Sequence, residues 1–169
     1  MALLLLAAAQ WDRRSDWTRL LEDGGLKREH PFAQLIESDA QVYWHRELAA
    51  TWLLLGRASY YAKPQGAGLL FNEGTAHDFG PRWERFKPIE KAVLECRVFA
   101  ALQNQSEDDC VTPSPSVVAE LCRAESHLDY LVFPRRFDLP DLAPLASWNP
   151  HLPSHPELSF HLYACKQFR

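Results

Sequence analysis

The sequence predicts a mainly α protein: a compact helical domain with room for one small hairpin and a proline-rich C-terminal arm. Three observations lead there. Apolar residues recur at helical spacing over 38–56 and 88–103. Period-two alternation is confined to Leu158, Phe160 and Leu162 near the C-terminus. Pro140, Pro144, Pro150, Pro153 and Pro156 crowd the last segment, a density that breaks long helices and favours an extended wrapper. At 169 residues, 47% hydrophobic and 12% aromatic, the chain has material for one core and is read as a single domain. Its parts are an N-terminal helix over 1–25, a helical core over 26–133 containing a loop at 63–82, and the arm over 134–169.

The first element, 3–22, is built from strong helix formers and stopped by Asp23-Gly24-Gly25. Ser15 or Asp16 can cap a second start within it. The opening run Leu3-Leu4-Leu5-Leu6 is wider than one amphipathic stripe, so it must be buried in the protein's own core or against another chain. Ser38 with Gln41 three residues on matches a capping box, and Gly56 stands where a helix stop belongs, which predicts a helix over 38–56. Within it Trp52-Leu53-Leu54-Leu55-Gly56 followed by Tyr60 resembles the first helix of a tetratricopeptide repeat. The tyrosine falls one residue late and no second copy follows, so no repeat array is expected.

Pro64, Gly66, Gly68, Gly74, Gly80 and Pro81 mark 63–82 as a long loop or small hairpin around Leu69-Leu70-Phe71. Pro88 then opens a helix whose stripe is Ile89, Val93, Leu94, Val98, Ala101 and Leu102. An acidic connector over 104–109 leads to cap residues at 112–116 and a helix through Val117, Val118, Leu121 and Cys122. The run 128–133 reads as helix or strand, ended in either case by Pro134. Leu158, Phe160 and Leu162 form a terminal strand.

Eighteen Lys and Arg against 22 Asp and Glu give a net charge of −4, with no basic field to attract phosphate backbones. Cys96, Cys110, Cys122 and Cys165 are spaced too irregularly for a zinc knuckle and are read as reduced core thiols. The apolar segment 2–9 lacks a basic start and is read as helix instead of a signal peptide, and no run approaches the ~20 apolar residues of a membrane span. The expected setting is intracellular, cytoplasmic or nuclear, without membrane contact; the other option is a secreted form with paired cysteines.

No complete catalytic, nucleotide or metal signature is present, and no cofactor is expected. His77-Asp78 in the glycine-rich loop supplies the elements of a base and its orienting carboxylate, the basis of a small-enzyme reading. His151, His155 and His161 are separated by prolines that forbid a common helix face. Residues 89–136 offer a helix-turn-helix, with Arg123 and His127 near the turn and Arg135 and Arg136 in reach of phosphates. Against DNA, the stretch 82–138 holds eight basic and ten acidic residues. The remaining signal is aromatic. Trp83 beside Arg85, and Trp148 among prolines, are anchors of the kind found at protein interfaces. The function expected is therefore a non-enzymatic interaction module, an adaptor or complex subunit. It would bind a protein partner or a second copy through Leu4, Leu5, Trp83, Arg85 and Trp148, with the DNA-associated protein as the alternative.

Overall fold

Gln41-Val42-Tyr43-Trp44 is a strand and not the start of a helix. Its aromatic and β-branched side chains suit a pleated surface, and Asp129 Oδ2 fixes its entrance by accepting from the Gln41 N–H at 2.8 Å. The computed structural model describes residues 13–23, 26–68, 73–104, 110, 113–137, 139 and 141–169. At its centre lies a five-stranded mixed sheet, which replaces the mainly α expectation with a mixed α/β architecture. The strands are β1 (Gln41–Trp44), β2 (Ala58–Ser59), β3 (Tyr130–Phe133), β4 (Ala146–Trp148) and β5 (Phe160–Ala164). Their order is β2-β1-β3-β5-β4. β1 runs parallel to β2 and β3, and β5 runs antiparallel to β3 and β4.

Side-chain alternation divides the core between the two faces of this sheet. Val42, Trp44, Tyr130, Val132, Leu162 and Ala164 point to one face. There they meet α1 (Asp16–Glu22), α2 (Leu26–Glu29) and α3 (Leu48–Ala50), which runs on into a π-helical turn, Thr51–Leu55. Tyr43, Leu131, Phe133 and Tyr163 point to the other face. Phe86 and Ile89 of α4 (Glu73–Leu102) and Val118, Leu121 and Cys122 of α5 (Pro115–Ala124) cover them. β1 and β3 are thus covered on both sides, and their unbroken apolar runs, Val42–Trp44 and Tyr130–Phe133, carry no period-two signature.

Several boundaries move for local reasons. Ser15 caps α1, its hydroxyl accepting from the Thr18 N–H at 3.1 Å. Gly56 closes the π-helical turn in the left-handed region at φ 61°, where a side chain would be strained. The expected loop at 63–82 shrinks to a 3₁₀ turn, Lys63–Gly68, and a helix of 30 residues starts at Glu73. Pro81 and Pro88 lie inside it seven residues apart, two turns on the same exposed side. The carbonyls of His77 and Glu84, which lose their partners to these prolines, therefore lie on the side of the helix that faces water.

The expected second helix of a helix-turn-helix is a turn followed by β3. The proline-rich arm is no wrapper, since it supplies β4 and the interior strand β5, with Pro144 and Pro150 bracketing β4. The four cysteines are not free thiols. Cys96 bridges Cys110, and Cys122 on α5 bridges Cys165 just beyond β5. These pairs are made by tertiary proximity, to which sequence spacing is blind.

Candidate functional site

The carboxyl ends of the three parallel strands fall on one edge of the sheet, the edge where open α/β sheets present ligand sites. At the end of β1 the His45 N–H still joins the ladder, donating to the Val132 carbonyl at 3.0 Å. Its imidazole is 3% exposed and lies between the rings of Tyr43 and Phe133, with centroids 5.8 and 5.9 Å away. Nδ1 is 2.7 Å from the Tyr43 hydroxyl, and Nε2 has no hydrogen-bond partner among the described residues. If Tyr43 donates to Nδ1, the only unmet group is one N–H at Nε2. The opposite assignment leaves both a buried hydroxyl hydrogen and a ring lone pair unmet, so the first is the favoured tautomer. Burial, followed by the charges of Arg46 and Arg97, lowers the imidazole from 6.5 to about 4, so it is neutral at pH 7.

Arg46 follows with φ 64°, a left-handed backbone that non-glycine residues seldom hold. Its side chain separates two cavities. One, of about 340 Å³, is walled by Trp17, Leu152, Leu158 and Phe160, with His45 and Arg97 among its polar members. The other, of about 270 Å³, contains Tyr61, Lys63 and Glu90. Tyr61 has a buried hydroxyl without a partner among the described residues, and burial pushes it up to about 12. A third hollow, lined by Arg135, Arg136 and His161, adjoins the first through Pro134 and Leu158. Among the described residues, no Ser, Thr or Cys lines the His45 cavity.

A second feature lies on α4. Ile89, Val93 and Ala100 face the core, whereas Leu94, Val98, Phe99 and Leu102 are 61%, 52%, 58% and 81% exposed. The final stretch of the helix, Val98–Leu102, is apolar on every side, the pattern of a helix end that is covered all round. The Cys96–Cys110 bridge ties this end to the returning chain.

The residues singled out by sequence meet different fates. Trp83 is 43% exposed on α4, with Lys87 Nζ 4.3 Å above its ring. Arg85 is half-exposed, and its guanidinium lies 2.6 Å from the carboxylate of the buried Glu125, which also accepts from the Tyr60 hydroxyl. It neutralises an internal charge. Trp148 is half-buried in an aromatic cluster, stacked on Phe160 at 5.8 Å and edge-on to His30 at 4.4 Å. Leu4 and Leu5 lie outside the described residues.

Arg123 caps its own helix, donating to the Ala119 carbonyl at 3.2 Å, and His127 is exposed in the turn before β3. Arg135 and Arg136 follow β3 at the sheet edge. His77 and Asp78 are 3.3 Å apart on an exposed helical turn, with no cavity around them among those at the sheet edge. His155 joins the His45 cavity, and His161 is bonded to Ser147 at 2.8 Å. No group of three metal-ligating side chains suited to an ion occurs among the described residues. Sequence reasoning missed His45 and Arg46. Their signal was an imidazole and a guanidinium ending an apolar run, which means nothing until 41–44 is known to be a strand. The chain matches no protein-family model, no curated protein and no solved structure.

Proposed function

We propose that this protein works by protein–protein contact, with the outer face of α4 as the contact surface and a second copy of the chain as its occupant. The carrying observation is the exposed stripe Leu94, Val98 and Leu102, flanked by Phe99, on a helix whose opposite face is already in the core. A stripe at i, i+4 and i+8 is symmetric about its middle. Two antiparallel copies crossing at Val98 place each Leu94 against the partner's Leu102, the isologous arrangement of a two-fold dimer. Lys91 and Glu95, ion-paired at 3.4 Å, border the stripe and remain at the wet rim. The anchors expected at Arg85 and Trp148 are replaced by these residues, with Trp83 kept as a peripheral contact.

The test is sedimentation equilibrium of the full chain beside Val98→Glu. Expected is a concentration-dependent dimer that the substitution weakens by about a hundredfold, through a charge desolvated in the contact. A wild-type chain that stays monomeric at about 100 µM, far above the dissociation constant of a stable dimer, overturns the reading. The two disulfides support an oxidising compartment as the place of action, in preference to the cytoplasm or nucleus.

A further inference from the structure

We infer that the Cys96–Cys110 bridge is a site of reversible thiol–disulfide exchange, opened by a dithiol at Cys96 Sγ while Cys122–Cys165 stays closed, and that its opening releases the end of α4. The two bridges differ first in access. Cys96 is exposed on α4 although its partner Cys110 is 1% exposed. Cys122 and Cys165 are both fully buried, in the core cluster that holds Leu121, Leu128 and Tyr163. A helical backbone is shielded by its own side chains, so the exposure at Cys96 belongs mainly to Cβ and Sγ. Exchange requires a thiolate to reach a disulfide sulfur, and access decides which sulfur it attacks.

The bridges differ next in what they hold. Between Leu94 and Leu102, Ala100 is the one buried side chain, so little apolar burial fastens this end of the helix to the core. The bridge adds a covalent restraint there across 14 residues. Its opening leaves the sheet and the Cys122–Cys165 closure across 43 residues in place. At about 100° per residue, Cys96 lies about 160° round the helix from Val98, so contact through the Leu94, Val98 and Leu102 stripe does not cover it. Exchange at Cys96 is therefore independent of that contact.

The step balances with a dithiol as the reductant. One of its sulfurs, as thiolate, attacks Cys96 Sγ; the Cys96–Cys110 bond breaks and Cys110 leaves, taking up the proton that the attacking thiol gave up. The second thiol then attacks the reductant's own sulfur in the mixed disulfide. Cys96 leaves as a thiol, and the reductant departs as its cyclic disulfide, having lost two electrons and two protons to the bridge.

The test exposes the folded, oxidised full chain to about 1 mM dithiothreitol at about pH 8, quenches aliquots with N-ethylmaleimide and reads the four cysteines by peptide mass spectrometry. Expected is labelling of Cys96 and Cys110 together, at least about tenfold faster than Cys122 and Cys165, with the difference lost in guanidinium. Hydrogen exchange of the selectively reduced chain is expected to quicken about tenfold or more at 98–102 and to stay unchanged in α5. With oxidised glutathione, folded Cys110→Ala is expected to be capped at Cys96, and folded Cys96→Ala to stay uncapped at Cys110. Opening of both bridges at one rate, opening of Cys122–Cys165 first, or resistance of Cys96–Cys110 until the chain unfolds overturns the inference. So does a rate difference that persists in guanidinium, hydrogen exchange at 98–102 that selective reduction leaves unchanged, or capping of Cys110 in preference to Cys96.

Discussion

Two imidazoles set the response of this protein to acid. His30 is fully buried, its Nδ1 accepting from the Phe32 N–H at 3.2 Å, and burial lowers it from 6.5 to about 4, as it does His45 with help from Arg46 and Arg97. In the unfolded chain both groups bind a proton near 6.5, so between pH 6.5 and 4 the unfolded state holds more protons than the folded one. Stability is complete above that window and falls as pH drops through it, by up to about 3 kcal/mol for each ring. The urea midpoint is expected to fall steadily from pH 7 to pH 4.5, and His30→Phe is expected to make that slope shallower. An unchanged slope in the variant assigns the acid response to other groups. Neither ring was legible beforehand, because a histidine's burial depends on Trp44, Trp148 and Phe133, which converge from three strands.

Among the elements, legibility followed length and sidedness. The 88–103 stripe was read as helix and is one, but its inward and outward sides were not separable: Val93 is buried and the adjacent Leu94 exposed, though both are apolar. β5 was read from its alternation because it runs beside the partly exposed edge strand β4. β1 and β3, with both faces covered, gave no alternation, and the apolar spacing of 42–55 imitated a helix. α4 overran its expected start because its prolines lie on the solvent side, where the lost hydrogen bonds go to water. Pro88→Ala restores an N–H donor to the Glu84 carbonyl. It is expected to stabilise the protein by about 2 kcal/mol, the helix-propensity gain of about 3 less the added freedom of the unfolded chain. A urea midpoint that stays the same or falls means that the helix does not run unbroken through this position.

For the whole molecule, the two disulfides and the sheet reinforce one another. Cys122 and Cys165, both fully buried and 43 residues apart, tie the α5 layer to the end of the interior strand β5. Arg169 adds to the same junction by donating to the Cys122 and Glu125 carbonyls, each at 2.9 Å. Closing a loop of this length restricts the unfolded chain by about 4 kcal/mol. The double variant Cys122→Ala, Cys165→Ala is expected to lose a comparable amount in chemical denaturation. Its dimer dissociation constant should be unchanged, since the bridge is remote in sequence from the α4 stripe. A loss of association in that variant, with the fold retained, relocates the contact surface.

The strand order carries a consequence for how the protein is made. β5, the last strand in chain order, lies between β3 and β4, and β1 finds its parallel partner β3 only after 88 residues. A ribosome therefore releases β4 before the strand it pairs with exists, and β3 waits with one flank open until residues 160–164 emerge. During that interval the apolar runs of β1 and β3 are unpaired, the kind of surface that folds slowly and invites aggregation in an unfinished chain.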